Sequence, residues 1–304
     1  MKVTIYGKSA NHPRFEQTLM KFATGVIDSG DDAFLSYDEE YYDCDVAVIF
    51  GSWKERDMTH HNVKRNIVSK AKNFIVLETP LIGRGPVKDV MDDDWYRIGI
   101  GGFLADDGIF HNGHKHGSTR WDLIRKHFGI QLPTYHVNGN QNIVVALQLP
   151  QDASLRGASI EKWCRDTCMA IRTQTDKPII VRLPQLQRNW DVEPLEVVKN
   201  LPNVSFQMGT ADNLVPTLRE ARCTVTYSSG FAIDSLLNGC PTIAMNPASF
   251  AYDIAANTVD DIDNPKCPSR DQWLYDLSYC QWHVSEIENG LPWRQLRELL
   301  SQII

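Results

Sequence analysis

The sequence lacks any apolar run approaching the roughly 20 residues that a membrane helix needs, so no membrane association is expected. It also lacks GxGxxG and GxxxxGK[ST]. The commonest dinucleotide sites and P-loop phosphate sites are thereby set aside. The seven cysteines, at 44, 164, 168, 223, 240, 267 and 280, show no paired zinc spacing. Cys164 and Cys168 fall four apart on an expected helix, which suits packing better than metal binding. All seven read as reduced thiols of a cytoplasmic protein. The opening MKVTIYGKSANHP begins with a strand rather than a signal peptide, which agrees with that compartment.

Positive charge is also in short supply. Lys and Arg number 31 against 38 Asp and Glu, for a net charge of −7. Residues 1–136 carry 17 against 19, and residues 137–304 carry 14 against 19. A protein that coats nucleic acid along its whole surface is excluded by this balance. A local basic groove in the first half is not, because eight of the nine histidines lie there.

What is present is ordinary globular composition, 42% apolar and 23% charged, in 304 residues. That length is near the limit of one core, so two domains are expected. Strands are expected at Val3–Tyr6, Asp45–Phe50 and Asn73–Leu77, with helices at Arg14–Ile27 and Asn62–Ala71 between them. Apolar strands alternating with helices indicate a parallel sheet covered on both faces. Residues 83–118 are rich in Gly, Asp and His and show no period, which points to a functional or poorly ordered segment. Trp121–Phe128 reads as a short helix. PTYHVNGNQ is the natural linker.

A second α/β set follows, with strands at Asn142–Gln148, Pro178–Arg182, Val204–Gln207, Cys223–Tyr227 and Thr242–Met245. Helices are expected at Ala158–Arg172, Pro194–Asn200, Asp212–Glu220 and Phe231–Asn238. The tail from Asp271 reads as helical and carries Trp273, Trp282 and Trp293. The expected fold is therefore α/β, with two Rossmann-like domains facing a cleft. The N-terminal domain would span 1–136 and the C-terminal domain 137–290. An amphipathic helix at 291–304, with Leu296, Leu299, Leu300 and Ile303, would cross back onto the first domain.

In open α/β sheets ligands bind beyond the carboxyl ends of the strands. The stretch CTVTYSSGFAIDSLLNGCPTIAM ends a strand in Ser228-Ser229-Gly230 and opens a helix carrying Asp234. Exposed N–H groups at such a start favour an anion such as phosphate. Plain N-capping by Ser229 is the alternative. LQLPQDASLRG places Gln148, Asp152 and Ser154 after another strand, as a ligand loop or as a loop merely capped by Asp152. Arg182, at the end of PIIVR, has the fork geometry that suits phosphate.

In the first half, Glu78 closes a strand and could serve as a general base, with Arg84 six residues on; a Glu–Arg pair that fixes the loop is the alternative. Asp106 and Asp107 are further candidate bases. The segment HNGHKHGSTRWDLIRKH holds His111, His114 and His116 with Lys115, Arg120, Arg125 and Lys126. A solvated loop, a basic patch for an anionic acceptor and a His-x2-His-x-His metal site compete for it. No carboxylate or cysteine completes an evident ligand set, so no metal is expected.

The run from Asp212 to Met245, with its Ser-rich turn, its acidic helix and Gly239-Cys240-Pro241-Thr242-Ile243, resembles the donor-binding region of GT-B glycosyltransferases, including capsule-type Kdo transferases. DVAVIFGSW, FIVLETPLIGR, LQLPQDASLRG, TYSSGFAIDSLLNGCPTIA and DLSYCQWHVSEIENGLPW are similar to glycosyltransferases encoded by phages. Val181-Arg182-Leu183-Pro184 and Glu78-Thr79-Pro80 depart from the His-Pro and Glu-Arg-Gly of that pattern. The resemblance implies a nucleotide-sugar co-substrate, expected to be UDP-linked, in the C-terminal domain. Gln148, Asp152, Ser154, Arg182, Ser228, Ser229, Gly230 and Asp234 would hold it. The acceptor would meet Glu78 or Asp106, with Arg84, Lys115 and Arg120 binding it. A 5-hydroxymethylated base in phage DNA is the acceptor this implies. A saccharide or lipid-linked acceptor, or a nucleotide-sugar epimerase of related fold, is the alternative. No metal or other cofactor is implied, since helix starts and basic side chains offset leaving-group charge in such sites.

Overall fold

The structure is a computed structural model, and it describes residues 1–83, 95–113, 115–136, 142–185 and 190–303. The chain forms two compact units. Unit 1 comprises Met1–Phe103, Asp107–Trp121 and Leu274–Ile304; unit 2 comprises Leu104–Asp106 and Asp122–Trp273.

Unit 1 begins with β1 (Lys2–Tyr6), α1 (Pro13–Asp28), β2 (Asp32–Ser36), β3 (Val46–Phe50), α2 (Thr59–Lys70), β4 (Phe74–Glu78) and β5 (Trp95–Ile100). Pro13 opens α1, where a missing N–H costs nothing, and the His12 side chain caps the helix by accepting from Arg14 N. After α3 (Thr119–His127), at whose fourth residue unit 2 takes over, the second sheet forms. It contains β6 (Asn142–Ala146), α4 (Ile160–Gln174), β7 (Ile179–Leu183), α5 (Val192–Lys199) and β8 (Val204–Met208). It continues through α6 (Ala211–Glu220), β9 (Ala221–Thr226), α7 (Phe231–Leu237) and β10 (Thr242–Ala244). The tail carries α8 (Asp271–Leu277), β11 (Gln281–His283), α9 (Val284–Glu288) and α10 (Leu291–Ile303).

The sheet of unit 1 has the order β11-β5-β4-β3-β1-β2. Its first four strands in sequence pair in parallel, whereas β5 pairs antiparallel with both β4 and β11. The sheet of unit 2, β10-β9-β6-β7-β8, is parallel throughout. Strands such as VAVIF of β3 are buried along their whole length, as a sheet covered on both faces requires. In unit 2 the chain steps outward from β6 to β7 and β8, then returns to the other side of β6 with β9. The connection reverses between β6 and β9, and that is where open sheets hold ligands. The equivalent reversal in unit 1 lies between β1 and β3.

Three strands fall where none was expected. β2 is a short edge strand, β5 lies inside the segment read as irregular, and β11 interrupts the tail read as helical. The division of the chain also differs from the expected boundaries at 136 and 291. Residues 122–136 belong with unit 2, where Tyr135 packs on the cluster of Ala232 and Leu236 and His136 N donates to Gly239 O. The return to unit 1 starts at Leu274, because β11 completes the first sheet beside β5. Of the expected linker PTYHVNGNQ at 133–141, residues 137–141 lie outside the described residues.

Helix α10 closes the core of unit 1. Trp293, Leu296 and Leu300 are fully buried among residues of β1, β3 and α1. Trp293 Nε1 donates to Asp31 Oδ2 at 2.9 Å, and Arg297 pairs with the same carboxylate at 2.7 Å. Burying each large apolar side chain is worth roughly 1.5–3 kcal/mol, so three approach the ~5–15 kcal/mol by which a domain is stable. Deleting residues 291–304 is therefore expected to unfold unit 1. Near-ultraviolet circular dichroism and urea unfolding check this; a truncated chain with an unchanged unfolding midpoint would contradict it.

Candidate functional site

At the reversal in unit 2 the loops after β6 and β9 are joined by side chains. Gln148 Nε2 donates to Ser154 Oγ (2.5 Å) and Ser228 Oγ (3.1 Å), while Gln148 Oε1 accepts from Ser228 N at 3.0 Å. Asp152 Oδ1 accepts from Ser154 N (2.9 Å) and Ser154 Oγ (2.7 Å), capping the short turn that follows. Four of the expected ligand residues thus meet in one network at the carboxyl edge of the sheet. Their polar atoms are mostly paired with one another, so the network shapes the edge more than it presents donors.

The unpartnered donors come next in the chain. The expectation of an anion held by the start of α7 needs correction in detail. That helix has only seven residues, and its first amides are occupied: Phe231 N donates to Ser229 Oγ, Ala232 N to Ser229 O and Ile233 N to Gly230 O. The consecutive N–H groups of Ser229 and Gly230 have no hydrogen-bond partner among the described residues. Two adjacent unpaired amides are donors that an oxyanion can use. Asp234 lies one turn further along, partly buried.

Arg182 is the penultimate residue of β7, beside β6. Its guanidinium is largely occupied in holding the start of α6. Nη1 donates to Asn213 Oδ1 (2.5 Å) and Gln207 Oε1 (3.2 Å), and Nη2 to Thr210 O (3.0 Å). Two of its five N–H groups are left without a partner among the described residues. The guanidinium lies 5.4 Å from the Phe231 ring and interacts electrostatically with Asp234, while burial lowers its pKa. Gly209 permits this approach, since a Cβ there would come within 3.0 Å of the Arg182 guanidinium carbon and 2.9 Å of Leu183 O.

In unit 1, Glu78 ends β4 opposite Arg97 of β5. Its Oε2 accepts from Ser52 N and its Oε1 from Thr79 N, both at 2.8 Å. Burial pushes its pKa up, but Arg97, the two amides and Lys64 together hold it below the usual carboxylate value. Glu78 is therefore ionised at neutral pH, as a base must be.

Arg120 is not on an acceptor-facing surface. It is buried, with Nη1 and Nη2 on the two oxygens of Glu286 (2.6 and 2.9 Å), Nε on Ser278 O and Nη2 on Gln281 O (both 2.6 Å). The Trp282 ring lies 3.9 Å from its guanidinium carbon. Asp106 forms a two-pronged pair with Arg156 within unit 2, at 2.7 and 2.6 Å, whereas Glu78 belongs to unit 1. Lys115 is exposed, and Arg84 and His114 lie outside the described residues. Among the described residues no group of His, Cys, Asp or Glu is arranged to hold a metal ion, and no helix is long and apolar enough to cross a membrane.

Residues that the sequence reading passed over are Lys64 and His61 on α2 and Gln281 on β11. Gln281 is fully buried; its Oε1 accepts from Leu81 N (2.9 Å) and Ile82 N (2.8 Å), fixing the loop that follows Glu78. Lys64, three residues before Ile67 on the apolar side of α2, was the one sequence signal available, since a lysine there must be buried or displace its neighbours.

No protein-family model matches the chain, and no curated protein matches it. Solved structures do. The chain is similar to a β-Kdo 2,4 transferase of Thermosulfurimonas dismutans KpsC at a TM-score of 0.56 and 14% identity, over 96% of this chain and 98% of that one. A β-Kdo 2,7 transferase of the same KpsC gives 0.52 and 13%, over the same shares. The fold is that of GT-B glycosyltransferases. At this identity the likeness establishes the fold, with two successive parallel-dominated α/β sheets, as the sequence led one to expect.

Proposed function

We propose that this protein is a glycosyltransferase that moves a sugar from a nucleotide-sugar to an acceptor hydroxyl. The observation that carries the reading is the edge of unit 2 at the β6–β9 reversal. There the two unpartnered amides of Ser229 and Gly230 precede Asp234 in a fold shared with sugar transferases. The donor's phosphate would accept from those amides and from the Ser229 hydroxyl. Asp234 would accept from ribose hydroxyls, and the two remaining N–H groups of Arg182 would offset the charge of the departing nucleotide. Gln148, Asp152, Ser154 and Ser228 would hold the edge in shape. A UDP-sugar is the first donor to try, and no metal is assigned a role.

For the acceptor we favour a saccharide hydroxyl over a modified DNA base. Arg120 of the basic segment is bound internally, and the similar structures are named as transferases of the sugar Kdo. A 5-hydroxymethylated base would rest on exposed cations alone, such as Lys115 in unit 1. Binding to such DNA would weaken steeply with salt if they carried it.

Calorimetric titration with nucleotide-sugars tests the donor site. Asp234→Ala is expected to weaken binding roughly 10- to 100-fold, since hydrogen bonds to a charged group are worth about 1.5–3 kcal/mol. Ser229→Ala should weaken it less. Unchanged affinity in both variants, with the fold intact, would remove this edge as the donor site.

A further inference from the structure

We propose that unit 1 holds a binding site for a carboxylate group of the acceptor, formed by the Lys64 ammonium and the bare backbone of Gly51 at the carboxyl end of β3. Lys64 is 3% exposed, on the side of α2 that also buries Val63 and Ile67. Its Nζ donates to Phe50 O at 3.2 Å, and its other two N–H bonds have no partner among the described residues. No carboxylate there lies within ion-pairing distance of it. Glu78 acts on it from further away and Lys54 opposes it. A buried ammonium without a close counter-ion is costly. One turn earlier, the buried His61 also leaves Nδ1 without a hydrogen bond.

Gly51 has φ +82°, and, its chain neighbours aside, a Cβ placed on it would meet one heavy atom within 4 Å, Lys64 Nζ at 3.3 Å. The gap that a side chain would fill at residue 51 is therefore bounded by the amine. It lies at the β1–β3 reversal, the position in this sheet where ligands are expected. Ser9 fixes the edge of that position, accepting from Phe50 N at 2.9 Å and donating to Tyr6 O at 2.6 Å.

The class of ligand follows from the charges around the gap. Two unpartnered N–H bonds on a cation select an oxyanion. Glu78, ionised nearby, repels a second negative charge, which favours a singly charged carboxylate over a phosphate dianion. Burial draws the Lys64 pKa down to about 8. An anion bound there would raise it again. A lysine that only braced the Phe50 carbonyl would need neither the gap nor the two open donors.

That the carboxylate belongs to the acceptor rests on the donor being held by unit 2; the affinity of the Lys64 site for a carboxylate does not. The test titrates the full-length protein, without donor, with D-glucuronate and with neutral D-glucose, following the lysine 13Cε resonances. Glucuronate is expected to move the Lys64 resonance saturably and glucose to leave it in place. Lys64→Met should weaken glucuronate binding roughly tenfold or more, as loss of a charge-assisted contact does. This variant should fold, because an apolar residue replaces a buried charge. A wild-type Lys64 resonance that ignores glucuronate, or equal binding by Lys64→Met, would overturn the site. Nucleotide-sugar titration run in parallel separates the two readings. A Lys64 response without donor binding supports this site while the donor reading fails, and donor binding without a Lys64 response overturns this site alone.

Discussion

Glu78→Gln is expected to lower turnover about 100- to 10,000-fold, the usual cost of removing a general base, while donor affinity stays unchanged. The carboxylate is positioned by Ser52 N and Thr79 N and kept ionised by Arg97 and Lys64. An acceptor hydroxyl attacking the anomeric carbon with inversion needs such a proton acceptor within hydrogen-bond reach. Because the pKa of Glu78 is held below its ordinary value, the acid limb of the pH–rate profile should lie below the usual glutamate range. On the acid side, rates should fall only as pH drops through the lowered value. Single-turnover kinetics on a variant with unchanged near-ultraviolet dichroism provide the check. Activity within a few-fold of wild type would assign the proton to the donor phosphate and leave Glu78 a structural role.

Arg120→Met should be the most destabilising single substitution of a charged residue in unit 1. It removes a bidentate partner from Glu286 and a donor from two backbone carbonyls. Stripping one partner from a buried ion pair costs about 3–5 kcal/mol. The neighbouring Trp282 face also loses its cation. The double variant Arg120→Met with Glu286→Gln should recover part of the loss, since no unpaired charge then remains. The pH dependence has a definite sign. Burial raises the Glu286 pKa, but Arg120 and His283 bring it below the ordinary value. A depressed carboxylate contributes stability that is complete above its unfolded pKa and is lost as pH falls through its folded one. The gap between wild type and Arg120→Met in urea unfolding should therefore narrow on acidification below about pH 4. A loss under about 1 kcal/mol, the range of exposed ion pairs, would show that this network is not the brace described.

Much of the fold was legible because its strands are locally unambiguous. VAVIF and NIVVA are continuous apolar runs bounded by turns, and both form central parallel strands. β5 was hidden because Arg97 and Gly99 break the apolar pattern of WYRIGI. Gly99 is there for a tertiary reason, since a Cβ would lie 2.7 Å from the Phe110 ring. β11 has three residues and gains its strand character only by pairing with β5. For the same reason the sequence does not show that the chain returns to unit 1 at Leu274.

The candidate sites divide along a similar line. Gln148, Ser154 and Ser228 were readable, because polar residues following buried strands end up at the same sheet edge. Arg120 was misplaced because its partners, Glu286 and the carbonyls of Ser278 and Gln281, lie about 160 residues away in sequence. In isolation STRWDLIRKH reads as an exposed basic helix. Arg182 was placed correctly at a strand end, but the residues that occupy most of its donors, Gln207, Thr210 and Asn213, belong to the next strand and helix.

The most direct test of glycosyl transfer is mass spectrometry of a reaction holding the protein, a nucleotide-sugar and a saccharide acceptor. The account predicts an acceptor heavier by one sugar residue, with an equal amount of free nucleotide released, and loss of both products in Asp234→Ala. An isomerised donor with no nucleotide released would indicate an epimerase instead, and intact donor across a panel of nucleotide-sugars and acceptors would contradict the assignment.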